Sequence, residues 1–295
     1  MIPANILEKV RRIHITTTRL AENVFAGEYK SVFKGRGLEF HEVREYQVGD
    51  EVRQIDWNVT ARAGKPFIKK FIEERELTIV ILLDASKSTY FGSRHSLKIE
   101  LAAEVAAVLA SSANSNNDKV GLMIFSDRIE KFIRPRKGKH HMQRIIREIL
   151  CQEPKGEGTD IPLCLRRLDR VTKHGAVVFL ISDFYADGLE KPVTIANKKH
   201  DLIAVRILDP MDRELPDAGL VSLFDAESGR RYCVDTGRKD VRDAYRAESA
   251  RRCERAGRVL SSCGVDTIDI ATGAPYTEAL SRFFANRKLR RRGSK

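Results

Sequence analysis

The 295-residue chain has no run approaching the 18 or so apolar residues that a membrane-spanning helix needs. The longest candidates, residues 77–83 and 176–181, suit buried strands instead. Glu8 and Lys9 interrupt the N-terminus before the apolar centre of a signal peptide could form. Cysteine is scarce. The five are Cys151, Cys164, Cys233, Cys253 and Cys263, an odd number without a C-x-x-C pair. This excludes a disulfide framework and a zinc ribbon, and a cytoplasmic home is the expectation. No G-x-x-x-x-G-K-[ST] segment occurs, so no nucleotide loop is recognisable. Tryptophan occurs once, as Trp57.

What is present describes a globular protein. Hydrophobic residues make up 42% and charged residues 32%, which excludes a largely disordered chain. A chain this long buries enough surface to fold without disulfides or metal. The net charge is +12, and half of that excess lies near one end, in Arg287, Lys288, Arg290, Arg291, Arg292 and Lys295. Such a run reads as a solvated, mobile end.

Residues 5–25 carry a helical stripe of Ile6, Val10, Ile13, Thr17, Leu20 and Val24. Residues 28–75 mix short apolar pieces with charges and glycines, as expected of short strands and turns. From residue 77 strands alternate with helices, which predicts a mainly parallel sheet covered on both faces. Residues 129–133 suit an antiparallel edge strand, and residues 220–235 a hairpin. The divisions are residues 1–76, an N-terminal helix and β-rich region; 77–287, an α/β domain; and 288–295, a basic tail.

Ligands of open parallel sheets sit beyond the carboxyl ends of strands, near the point where strand order reverses. The first buried strand runs into Asp84-Ala85-Ser86-Lys87-Ser88, and the strand at 176–181 into Ser182-Asp183. Between them, a loop at 156–160 contains Thr159 and opens a helix. Two carboxylates and three hydroxyls are hard oxygen donors suited to Mg²⁺ or Mn²⁺. Asp84, Ser86, Ser88, Thr159 and Asp183, in this order and at strand ends, resemble the metal-ion-dependent adhesion site of von Willebrand factor A domains. The resemblance implies that the serines bind metal directly and the aspartates directly or through water. It also implies that an acidic residue of a partner completes the coordination.

A second pattern lies upstream. The stretch from Gly27 to Phe40, then Arg44, Tyr46, Gly49-Asp50, Arg53, Asp56-Trp57 and Arg62, resembles the signature of a bacterial family of unknown function, DUF58. Its members carry a von Willebrand factor A-like domain downstream. The likeness continues through Ser182-Asp183-Phe184, Asp209-Pro210 and residues 225–229. Family resemblance implies a partner, a MoxR-class AAA+ ATPase or its client. From the residues themselves, buried ion pairs should staple a small β unit, with Trp57 filling the seam against the sheet domain; the alternative is a partner-docking surface, since Trp, Tyr and Arg are the usual anchors.

The leading expectation is a non-enzymatic, metal-dependent protein-binding module, acting as an adaptor or assembly factor. A metal-dependent phosphoesterase is the first alternative, because Mg²⁺ between carboxylates also activates water. Phosphatases on similar sheets show Asp-x-Asp after the first strand, whereas here Ser86 takes the second place. Nucleic-acid binding through the basic tail is the other alternative, disfavoured because no recognised nucleic-acid motif is present.

Overall fold

The computed structural model describes residues 39–47, 50–52, 55–72, 76–93, 96–152, 154–225 and 229–293. The helix expected over residues 5–25 lies outside the described residues, as do Gly49 and Arg53. In the upstream region, β1 (Glu39–Glu45) pairs antiparallel with β2 (Phe67–Ile72), and helix α1 (Trp57–Ala63) lies between them in the chain. This helix was not expected. The Asp56 carboxylate caps it by accepting from the Asn58 and Val59 N–H groups, and Gly64 ends it at φ +71°. Arg44 and Asp50 form a two-pronged ion pair at 2.7 and 2.9 Å, but with side chains 34% and 20% exposed it is not the buried pair expected. Trp57 does not fill a seam. It is the first residue of α1, a helix without buried residues, and is 68% exposed.

The larger unit begins with β3 (Thr78–Asp84) and a 3₁₀ turn (Lys87–Tyr90), followed by α2 (Lys98–Ser115), β4 (Lys119–Phe125) and β5 (Ile129–Arg136). Next come α3 (Lys139–Leu150), α4 (Ile161–Val171), β6 (Val177–Ser182), α5 (Glu190–Lys199), β7 (Asp201–Leu208) and the short α6 (Pro210–Arg213). A hairpin, β8 (Leu220–Phe224) and β9 (Arg231–Asp235), precedes α7 (Lys239–Ser262), β10 (Asp266–Ala271) and α8 (Tyr276–Gly293).

The six-stranded sheet has the order β10-β7-β6-β3-β4-β5. Every neighbouring pair is parallel except β4 with β5. From β3 the chain winds outward to β5, crosses back to β6 and winds outward again to β10. The switch point therefore lies between β3 and β6, and it brings the ends of these two strands together. This is the doubly wound, mainly parallel α/β arrangement expected for a von Willebrand factor A-like domain.

Strand alternation divides the core. Ile79, Ile81 and Leu83 face one cluster with α2, α3 and Leu280 and Phe284 of α8. Val80 and Leu82 face the other, with Leu165 and Leu168 of α4, Val193 of α5 and Leu260 of α7. Helix α2 is buried along most of its length, and its small residues, among them Ala102, Ala106 and Ala110, let it lie close to the strands. At the antiparallel edge Pro135 presses on Gly121, where a Cβ would come within 2.8 Å of the proline ring.

The end of the chain departs from expectation. Instead of a mobile tail from residue 288, α8 continues to Gly293. Arg287 pairs with Asp201 and Asp266, and Arg290 with Asp266 at 3.1 Å. Acids on β7 and β10 thus neutralise part of the basic run.

The core and the exposed tryptophan should differ sharply under substitution. Leu122→Ala, at a fully buried position of β4, should cost about 2–5 kcal/mol in urea unfolding. Trp57→Ala should change stability by about 0.5 kcal/mol or less. A large loss in the tryptophan variant would refute its placement in solvent.

Candidate functional site

Asp84 is the last residue of β3 and is 1% exposed. One carboxylate oxygen, Oδ1, accepts from the Ser86 N–H at 2.9 Å. The other, Oδ2, accepts from the Ser182 hydroxyl at the end of β6, at 2.6 Å. Ser86 and Ser88 turn their hydroxyls toward each other, 3.1 Å apart. Ser88 also donates to Asp183 Oδ2 at 3.1 Å. Asp84, Ser86, Ser88 and Asp183 therefore form one connected cluster across the switch point.

The turn that carries Asp183 is tight. Phe184, next in the chain, has φ +60°, a left-handed conformation uncommon for a bulky residue. Its ring is fully buried, and its N–H donates to the Ser182 hydroxyl at 3.1 Å. Burying the ring and bonding the backbone offset the strain and fix the direction in which Asp183 leaves the strand.

Thr159 is not part of this hydrogen-bond network. It is half-buried in the loop ahead of α4. The loop is held to the end of β4 and to the turn after β3, where Lys87 pairs with Glu157 at 2.8 Å. The Asp160 N–H donates to the Ser126 carbonyl at 2.9 Å. Gly156 lies so close that a Cβ there would stand 2.0 Å from Ser126 Oγ.

Two members of the site were missed from the sequence. Lys98, the first residue of α2, has a side chain only 3% exposed. Its ammonium donates to Asp183 Oδ2 and to Asp212 Oδ2, each at 3.2 Å. A lysine opening a helix gives no sign of burial in its sequence, and Asp212 lies 114 residues away on α6. Burial works to discharge Lys98, but the nearby charges of Asp183 and Asp212 outweigh it and hold the ammonium above its ordinary pKa.

The donor set fits a hard divalent cation. Adjacent oxygens on an octahedral Mg²⁺, bound at about 2.1 Å, stand about 3 Å apart. The Ser86–Ser88 and Ser88–Asp183 oxygen separations are both 3.1 Å. Among the described residues no three histidine, cysteine, aspartate or glutamate side chains gather as a metal group, so the set depends on its hydroxyls. Burial, reinforced by the charge of Asp183, pushes the Asp84 carboxyl up to about 7. A cation would relieve both effects.

Beside the cluster opens a cleft of about 750 Å³. Ser88, Lys98, Asp183 and Asp212 reach it, and Tyr90, Phe91, Leu215, Leu223, Phe224 and Tyr245 supply apolar wall.

The Asp84 shift has a measurable consequence for the metal-free protein. Its folded-state pKa lies above the usual carboxylate value of about 3.9. The native state therefore holds a proton that the unfolded state releases, and the stability linked to it is lost as pH rises from about 4 to about 7. Thermal melts in chelator should show wild type losing ground to Asp84→Asn between pH 5 and 8. Parallel profiles for the two chains would refute this.

An uncharacterized protein of Mycobacterium tuberculosis (strain ATCC 25618 / H37Rv) is 32% identical over 284 residues, covering 95% of this chain and 89% of the relative. Among solved structures, a von Willebrand factor type A protein from Catenulispora acidiphila matches with a TM-score of 0.41 at 10% identity, covering 75% of this chain and 43% of that one. An aerotolerance-related membrane protein from Bacteroides fragilis NCTC 9343 matches with a TM-score of 0.47 at 14% identity, covering 72% of this chain and 99% of that one. The cytoplasmic expectation is withdrawn, since proteins described as membrane-related stand among the structural neighbours. No helix among the described residues is long and apolar enough to cross a membrane, which speaks only for those helices. The family model for "Protein of unknown function DUF58" matches residues 42–255, and the chain belongs to that family.

Proposed function

We propose that the chain is a non-enzymatic, metal-dependent protein-binding module. The observation that carries this reading is the cluster of Asp84, Ser86, Ser88 and Asp183, of which Ser88 and Asp183 line a cleft with aromatic and aliphatic walls. These four residues would hold Mg²⁺ or Mn²⁺. Thr159, in the loop ahead of α4, is the proposed fifth donor. Bound there, the cation supplies a coordination position for a carboxylate of the partner. The cleft beside it offers aromatic and aliphatic surface of the kind that anchors protein interfaces.

The partner class is argued from family resemblance. A MoxR-class AAA+ ATPase, or its client, is the proposed ligand, with this chain as adaptor or assembly factor. The phosphoesterase alternative gains nothing from the geometry. Ser86 stands where an Asp-x-Asp enzyme carries its second carboxylate, and its hydroxyl faces another hydroxyl.

Calorimetric titration of Mg²⁺ and Mn²⁺ into the chelator-treated full chain tests the reading. Wild type should show one saturable site. Asp84→Ala should abolish it, and Asp183→Ala should weaken it at least tenfold, with the fold retained by circular dichroism. Equal affinity in wild type and Asp84→Ala would sink the assignment. Capture of a purified MoxR-class ATPase should likewise require metal and reverse on chelation.

A further inference from the structure

We infer that Lys98 is a tethered cation at this centre, whose ammonium takes over part of the charge role of the divalent ion and sets how tightly metal binds. The inference rests on the metal-binding reading above and goes beyond it, because Lys98 and Asp212 belong to neither the sequence motif nor the proposed donor set.

The position of Lys98 has no local explanation. The first turn of a helix favours negative charge, since its free N–H groups and the helix dipole point positive. Lys98 nevertheless opens the 18-residue α2, and it is the only charged residue among that helix's buried positions. A lysine buried at this end needs compensation from outside the helix. Asp183 and Asp212 supply it, from the end of β6 and from α6.

The shared atom is Asp183 Oδ2. It accepts from Ser88 Oγ, a member of the proposed metal set, and from Lys98 Nζ. A divalent ion that takes this oxygen meets a fixed positive charge already bonded to it. In a site this buried the repulsion is poorly screened, so metal affinity is set by how readily the ammonium yields. Asp212 gives it somewhere to go, since Lys98 already donates to that carboxylate. Metal entry would then leave Lys98 on Asp212 alone. Asp212 and its neighbour Met211 line the cleft, so the exchange reaches the surface proposed to hold the partner.

Without metal, the same ammonium keeps the site intact. Asp183 has a side chain only 3% exposed and Asp212 one only 15% exposed. Removing the lysine leaves both acids in place without its charge.

The test compares Mg²⁺ titrations of chelator-treated wild type and Lys98→Met, with melting temperatures in chelator and in Mg²⁺. Lys98→Met should bind Mg²⁺ at least tenfold more tightly. It should also melt lower than wild type in chelator and recover more on adding Mg²⁺. Equal or weaker affinity in the variant overturns the role of Lys98 and leaves the metal reading standing. Failure of both folded chains to bind overturns the metal reading, and this inference with it. Should Lys98→Met not fold, wild type provides the answer. Acetylation of Lys98 by an amine-reactive reagent, read by mass spectrometry, should speed up several-fold in saturating Mg²⁺ relative to chelator. An unchanged rate overturns the inference.

Discussion

Everything at the switch point depends on compensating buried negative charge. The topology ends two neighbouring central strands in carboxylates, Asp84 and Asp183, and buries both. Both carboxylates are nearly withdrawn from solvent, so the protein supplies hydroxyls, backbone N–H groups and one ammonium. Ser182 and Ser86 serve Asp84, while Ser88 and Lys98 serve Asp183. The sheet, the turn at Phe184 and the first residue of α2 must all be in register for these contacts to exist together. The site is thus a product of the whole domain rather than of one loop.

Much of this architecture was legible in the sequence because burial on both faces leaves a strong mark. Continuous apolar runs announced β3 and β6, and the alternation of such runs with helical stripes announced the parallel sheet. The edge strand β5 and the β8–β9 hairpin, largely exposed, were legible instead from short apolar pieces and the turn residues between them. Four of the five expected site residues come together, since strand-end position is fixed once strand order is known. Thr159 was less tractable. Its placement depends on how closely Gly156 approaches Ser126, a tertiary contact that spacing does not encode.

Other features lay beyond local pattern. Lys98 reads as an ordinary surface residue opening a helix, and only the distant Asp183 and Asp212 reveal its burial. Trp57 follows a capping aspartate, and the helix it begins carries it into solvent. The basic run at the end of the chain looked free because no acid lies within it. Its partners, Asp201 and Asp266, sit on strands that become adjacent only in the folded sheet.

The β5 edge bears on how this protein can assemble. An exposed strand edge invites another chain to extend the sheet, the route to open-ended polymers. Here the outer strand carries Pro135, which lacks an N–H to offer, and it is interrupted by irregular register against β4. Lys131, Arg134 and Arg136 add positive charge along the same strand. Growth by strand addition is obstructed on that side, so association there would have to rely on side chains and loops, which favours complexes of fixed stoichiometry over indefinite stacks.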